Sequence, residues 1–278
     1  MPNYRLLALD MDGTLLTSDK RISPRTLQAL RDASARGTTI ALSTGRAINE
    51  LAEYHSDFKN TVRYASLVSG GHVYDLATEQ TIAVCPLDTE TALAIARQGL
   101  AENAMVHILT TSTTAATMRD IDRMHEVGMG VYQSMFRAIC THVEDVQDYI
   151  EQHSGEICKV NLYHTSQESR QRTLERLQGL DAHIAPAEQT SLEFTPTGVD
   201  KAYGLRLLCD HLGFSLDECV VVGDGFNDVE VLEVAGLAVA MGNADDAVKA
   251  LTHATVADND HDGIVEVIER FLQEPPLR

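Results

Sequence analysis

The sequence predicts an α/β protein with a doubly wound, mainly parallel core interrupted by an α/β insert. Three observations predict it. Leu6-Leu7-Ala8-Leu9 and Cys219-Val220-Val221-Val222 are continuous apolar runs, the pattern of strands buried on both faces of a parallel sheet. Strand-type and helix-type segments alternate from the start of the chain to about residue 84, and again from about residue 192 to the end. Between them, 85–191 carries helices and several short strands of its own, as a compact insert would.

The elements follow in order. After a strand over Arg5–Asp10, Ser23 reads as a helix N-cap, Pro24 as its first turn and Gly37 as its stop. Strand Thr38–Ser43 comes next, as a right-handed βαβ crossover requires. Tyr64–Val68 and Val73–Leu76 flank Ser69-Gly70-Gly71-His72 as a hairpin-like pair. The insert opens near Pro86-Leu87-Asp88, with Asp88 capping a helix to about Leu100. Strand Met105–Thr110 is followed by a polar Thr/Ser stretch and an unassigned region to Cys140. Helix Val143–His153, strand Ile157–Tyr163, helix Gln167–Gln178 and strands Ala182–Ala185 and Leu192–Phe194 complete the middle of the chain. From Thr195 the alternation resumes, with a helix over Ala202–His211 and a frayed tail at Glu274-Pro275-Pro276. The expected division is a core of 1–84 and 192–278 around an insert of 85–191.

The apolar runs lead straight into acidic segments, Asp10-Met11-Asp12-Gly13-Thr14 and Gly223-Asp224-Gly225-Phe226-Asn227-Asp228. Open α/β sheets bind ligands beyond the carboxyl ends of their strands, so both clusters belong on one rim. Carboxylates gathered there repel one another unless they share a cation, and a hard dication with oxygen ligands, Mg²⁺ above all, suits them. Taken alone, Asp-x-Asp-Gly is also a good turn sequence. It opens the EF-hand pattern too, but Leu15 and Arg21 stand where that loop needs Gly and Glu, so a calcium loop fails. Strand Thr38–Ser43 runs into Thr44-Gly45-Arg46, whose hydroxyl, glycine and guanidinium suit an anionic group such as phosphate, although Ser-Thr-Gly alone is also an ordinary loop. Lys201 follows Gly198-Val199-Asp200 at the start of a helix, an unfavourable end for a cation that an Asp200 cap would offset in part. An anion or carboxylate partner therefore competes with the solvated role that is the default for a lysine.

Asp10-Met11-Asp12-Gly13-Thr14-Leu15-Leu16, Ser43-Thr44-Gly45-Arg46, Lys201 and Gly223–Asp228 resemble, in order, the four motifs of the haloacid dehalogenase-like hydrolases. The wide gap before Lys201 resembles the Cof-type sugar-phosphatase branch, as do Ala235–Ala244 and Asn259-Asp260-His261-Asp262-Gly263-Ile264. The resemblance implies a Rossmann-like core with an inserted α/β cap. It implies Mg²⁺-dependent hydrolysis of phosphomonoesters of small metabolites, sugar phosphates above all, through an aspartyl-phosphate. Asp10 would then be the nucleophile and a metal ligand. Asp12 would be the acid and base, with its carbonyl on the metal. Asp224 would be a further ligand and Asp228 its support, so that the metal set is Asp10, Asp12, Asp224 and Asp228. Thr44, Gly45, Arg46, Lys201 and Asn227 would bind substrate, with Thr44 and Lys201 also acting in catalysis. Ser69-Gly70-Gly71 departs from the branch's Asn-Gly-Ala, which removes a longer side chain from a position that often touches substrate. Gly225-Phe226 replaces the usual small polar residue and spares the ligands. In the cap, His107, Tyr132, Arg137 and Lys159 are the polar residues to weigh as leaving-group contacts, each against a solvated or structural role.

Composition narrows the partners. The chain has 278 residues, 44% of them hydrophobic, with no Trp and 5% aromatics, which points to a sizeable aliphatic core. A formal net charge of −19 argues against nucleic acid or an anionic membrane as partner. The five cysteines form no Cys-x-x-Cys pair and read as reduced, mostly buried thiols. With no signal-type apolar region and no segment of transmembrane length, the expectation is a soluble cytoplasmic protein, monomer or dimer. Two other functions fit the same motifs: a phosphotransferase or mutase, and a non-catalytic phosphometabolite sensor. Retention of Asp12 suits hydrolysis, and the intact nucleophile position suits an enzyme.

Overall fold

A computed structural model of the chain describes residues 4–186 and 190–273, so the tail expected at Glu274-Pro275-Pro276 lies outside the described residues. Its strands are, in chain order, β1 (Leu6–Leu9), β2 (Thr39–Ser43), β3 (Tyr64–Leu67), β4 (His72–Asp75), β5 (Gln80–Val84), β6 (Met105–Thr110) and β7 (Thr114–Thr117). They continue with β8 (Thr141–Val143), β9 (Ile157–Tyr163), β10 (His183–Pro186), β11 (Ser191–Thr195), β12 (Cys219–Gly223), β13 (Leu237–Ala240) and β14 (Ala254–Thr255). They build two sheets in two compact units, one of 1–45, 53–83 and 200–278, the other of 46–52 and 84–199.

The first unit holds the sheet ordered β14-β13-β12-β1-β2-β3-β4-β5. Every pairing from β14 to β3 is parallel, and β4 turns back antiparallel on β3. This is the doubly wound core that the apolar runs predict. Leu6 and Ala8 pack with Leu205 and Leu208 of helix Lys201–Leu212 and with Val231 and Leu232 of helix Val229–Val234. Alternation sends the fully buried Leu7 and Leu9 to the opposite face. Helices Pro24–Ala35 and Gly263–Phe271 pack on each other and bury Leu30, Ala33, Ile264 and Ile268. The predicted start of the first of these is observed, since Ser23 Oγ accepts from Thr26 N.

The second unit holds the sheet β10-β11-β9-β6-β7-β8, antiparallel except for β7 with β8. Val106, Ile108, Val160 and Leu162 face helices Thr89–Ala101 and Val146–Gln152. Met105, Ala116 and Tyr163 pack instead with Ile121, Met124 and Phe136. Three sequence expectations change here. The segment read as one helix from Val143 splits, because Thr141–Val143 pairs with β7 and Asp145 caps the helix that starts at Val146. The polar Thr/Ser stretch contains a strand, β7. Strand β11, expected to open the returning core at 192, pairs with β9 and β10, so this unit runs to residue 199.

His72 and His107 are each 1% exposed. Burial holds His72 down at about 4 and His107 at about 3, the latter helped by the Lys159 charge. Both therefore fold as neutral rings, while the unfolded chain takes up their protons below a pH of about 6.5. Their stabilisation is complete above that pH and is lost as pH falls toward 4 and 3, at about 2 kcal/mol for each ring by pH 4.5. His72→Gln and His107→Gln are expected to flatten the fall in Tm between pH 7 and 4.5. Curves parallel to the parent's would show that other groups set the acid limit.

Candidate active site

Strands β12, β1 and β2 run parallel and adjacent, with Leu9 standing between Val222 and Leu42. Asp10, the loop after Gly223 and Thr44 therefore leave the sheet along one edge. The first unit places Asp10, Asp12, Thr44, Gly45, Lys201, Asp224, Asn227 and Asp228 in one compact body.

At its centre is a buried ammonium between carboxylates. Lys201 Nζ donates to Asp10 Oδ1 and to Asp228 Oδ1, both at 2.6 Å, and the lysine is 1% exposed. Helix placement makes this possible: Asp200 caps the helix by accepting from Tyr203 N at 2.7 Å, which offsets part of the cost of a cation at its first residue. Asp228 Oδ2 accepts from the backbone N–H groups of Asp224 and Gly225 at 3.1 Å each, tying the acidic loop into a turn. Thr14 Oγ1 donates to Asp224 Oδ1 at 2.8 Å, and Asn243 Nδ2 to Asp224 Oδ2 at 3.2 Å. Gly13 allows the two acidic segments to meet. Its φ is +82°, and a Cβ there would lie 2.3 Å from an Asp224 oxygen.

Carboxylate oxygens of Asp10, Asp224 and Asp228 lie within 4.8 Å of one another. Burial and the neighbouring carboxylates outweigh Lys201 and push Asp10 well above the usual carboxylate range. Burial, then the Asp228 charge, pushes Asp224 up to about 6. Burial would lower Lys201, but the charges of Asp10 and Asp228 hold it raised and protonated. The directions agree: one ammonium does not neutralise three clustered carboxylates. Oxygen donors with uncompensated negative charge fit a hard dication.

Asp12 stands slightly apart. Its Oδ1 accepts from Lys20 Nζ at 2.8 Å, with the two side chains 34% and 29% exposed. Lys20 sits in a tight turn, where Thr17 N donates to the Arg21 carbonyl and Lys20 N to the Thr17 carbonyl, both at 2.8 Å. Its φ of 59° is left-handed, a conformation that costs an L side chain about 1–2 kcal/mol. A partly exposed ion pair returns only about 0–1 kcal/mol.

The other predicted residues divide. Thr44 is buried, its N–H on the Ser66 carbonyl at 2.9 Å and its own carbonyl accepting from Ser69 N at 3.0 Å. Asn227 turns back over its own loop, with Oδ1 2.5 Å from where a Gly225 Cβ would stand. Arg46 groups with the second unit, where Nη1 donates to the Glu50 carbonyl at 3.4 Å. In that unit Lys159 is fully buried and paired with Glu193 at 2.9 Å, and Arg137 pairs with Asp122 at 2.6 Å. His107 is buried against Phe136, with ring centroids 4.5 Å apart, and Tyr132 packs beside the Met124–Phe136 cluster. Sequence reasoning gave no role to Lys20 or Asn243. Asn243 lay inside a segment quoted only for its resemblance, and the contact of Lys20 depends on a turn that no local pattern announces.

The sequence profile of the haloacid dehalogenase-like hydrolases matches residues 7–268. The chain belongs to that family. Similarity to individual proteins runs along nearly the whole chain. It is 29% identical to 5-amino-6-(5-phospho-D-ribitylamino)uracil phosphatase YitU of Bacillus subtilis, over 97% of this chain and 96% of that one. It is 28% identical to pyridoxal phosphate phosphatase YbhA of Escherichia coli, over 96% and 98%. A haloacid dehalogenase-like hydrolase from B. subtilis shares the fold, with a TM-score of 0.85 at 22% identity, over 96% and 100% of the two chains. Among the described residues no helix is long and apolar enough to cross a membrane.

Proposed function

We propose that this hydrolase releases phosphate from phosphomonoesters of small metabolites, sugar phosphates first among them, through an aspartyl-phosphate on Asp10. The observation that carries this is the buried Asp10–Lys201–Asp228 cluster beside Asp224, at the carboxyl ends of adjacent parallel strands. Asp10 attacks phosphorus, and the bond from phosphorus to the leaving oxygen breaks. Asp12 gives that oxygen its proton, then takes one from the water that cleaves the aspartyl-phosphate. Lys201, bonded to Asp10 Oδ1, fixes the rotation of the nucleophilic carboxylate and offsets its charge. Thr44 and Gly45 bind phosphoryl oxygens, and Asn227 adds a polar contact once it turns from its loop.

Asp10, Asp224 and the Asp12 carbonyl would hold Mg²⁺, with Asp228 supporting them. When bound, the ion supplies positive charge that neutralises the carboxylates and the phosphoryl oxygens. The names of the relatives put a ribityl phosphate and pyridoxal phosphate beside sugar phosphates in a test panel. With Mg²⁺, phosphate release from members of that panel is expected. Exhaustive chelation should remove it, and Ca²⁺ should inhibit, because its larger and more flexible shell disturbs the approach of Asp10. Turnover that survives chelation would defeat the metal assignment. Transfer to an added alcohol without phosphate release would point to a phosphotransferase, and binding without turnover to a sensor.

A further inference from the structure

The geometry points to Lys20 as a positioning residue: aimed by the turn at 17–21, its ammonium fixes the Asp12 carboxyl for proton transfer. This rests on the reading of Asp12 as the proton donor.

Three features of the turn carry it. The left-handed backbone at Lys20 is one that glycine or asparagine adopts more readily, yet the position holds a long cationic side chain. The ion pair returns no more than the strain costs, so the pair by itself does not account for a left-handed backbone at this residue. Next, the turn is held by Tyr54 and by the segment Asn259-Asp260. Tyr54 Oη donates to the Lys20 carbonyl at 3.0 Å, and Asn259 Nδ2 to the Leu16 carbonyl at 2.9 Å. Ser18 N and Oγ donate to the Asp260 carboxylate at 2.8 and 2.6 Å. A loop held this way presents Lys20 in one place.

Last, the clamp is continuous with the acidic site. Asn259 N donates to Asn243 Oδ1 at 3.2 Å, and Asn243 Nδ2 donates in turn to Asp224 Oδ2 and to the Gly13 carbonyl. The Asn259-Asp260 segment thereby has a physical task. It holds the turn that carries Lys20 in register with the carboxylates. Asp12 must place one proton on a leaving oxygen; with Oδ1 accepting from Lys20, that proton is carried on Oδ2, and a freely rotating carboxyl presents it less often than one held at Oδ1.

The test is single-turnover phosphorylation of the enzyme by p-nitrophenyl phosphate and by a sugar phosphate that it hydrolyses. A sugar alkoxide needs the proton and a nitrophenolate does not. Parent, Lys20→Met, Lys20→Arg and Asp12→Ala are compared, with melting curves on each. Lys20→Gln replaces the Met variant if that one does not fold. Lys20→Met is expected to lower the sugar-to-aryl rate ratio about tenfold, a fraction of what a general acid supplies. Lys20→Arg should restore most of the ratio. If Asp12→Ala lowers the ratio and Lys20→Met does not, the positioning role is wrong. A rise in KM shared by both substrates, with the ratio unchanged, would make Lys20 a phosphate-attracting cation and also overturn it. If Asp12→Ala slows both substrates equally, the proton-donor reading fails and the Lys20 proposal falls with it.

Discussion

Asp10→Asn is expected to lower turnover at least about 10³-fold while the metal-free protein keeps or gains thermal stability. The two halves of this result have one cause. Asp10 is 6% exposed and shares its surroundings with Asp224, Asp228 and a single ammonium. Burial and like charge already disfavour its ionised form. The amide keeps the shape and an oxygen to accept from Lys201, and it removes one of three mutually repelling charges. Melting without metal should therefore hold steady or move up, as at other sites where function is maintained against stability. Turnover should collapse, because an amide oxygen is a poor nucleophile toward phosphorus. Paired melting curves and phosphate-release assays decide it. Near-parental turnover would exclude Asp10 as nucleophile, and a sharp drop in Tm would make the carboxylate structural.

The carboxylates were legible because the strands before them are legible. Leu6–Leu9 and Cys219–Val222 are apolar without interruption, and only a strand covered on both faces needs that pattern. Each apolar run ends at an acidic turn, so one argument finds strand and site together. The second unit was harder to read. Thr114–Thr117 is Thr-Ala-Ala-Thr, buried by its neighbours and not by its own hydrophobicity. Leu192–Phe194 is recognisable as a strand, but its partnership with β9 is a tertiary fact that local sequence does not encode. His107 alternates with Val106 and Ile108, so the period of two places it on one face without saying that this face is buried. The Lys20–Asp12 pair depends on a left-handed turn at a residue with little preference for one, and on a clamp from a segment more than two hundred residues away.

Lys201→Met should give the largest loss of stability of any site substitution, together with near-complete loss of turnover. The side chain is as buried as a core leucine, so methionine fills its volume, and any cost is electrostatic. Removing the ammonium leaves Asp10 and Asp228 without the donor that each receives at 2.6 Å. Breaking one side of a buried ion pair typically costs about 3–5 kcal/mol. Here the same lysine serves two carboxylates, and Asp224 adds a third charge nearby. The sign of the pH dependence separates this from a packing defect. Without Lys201, Asp10 and Asp224 resist ionisation more strongly, so the folded state holds protons that the unfolded chain releases. The deficit against the parent should then widen as pH rises from 5 to 8, and added Mg²⁺ should narrow it by supplying the missing positive charge. A deficit independent of both pH and Mg²⁺ would mean that Lys201 matters for packing alone. A variant that melts like the parent at pH 8 would show that the three carboxylates do not depend on it.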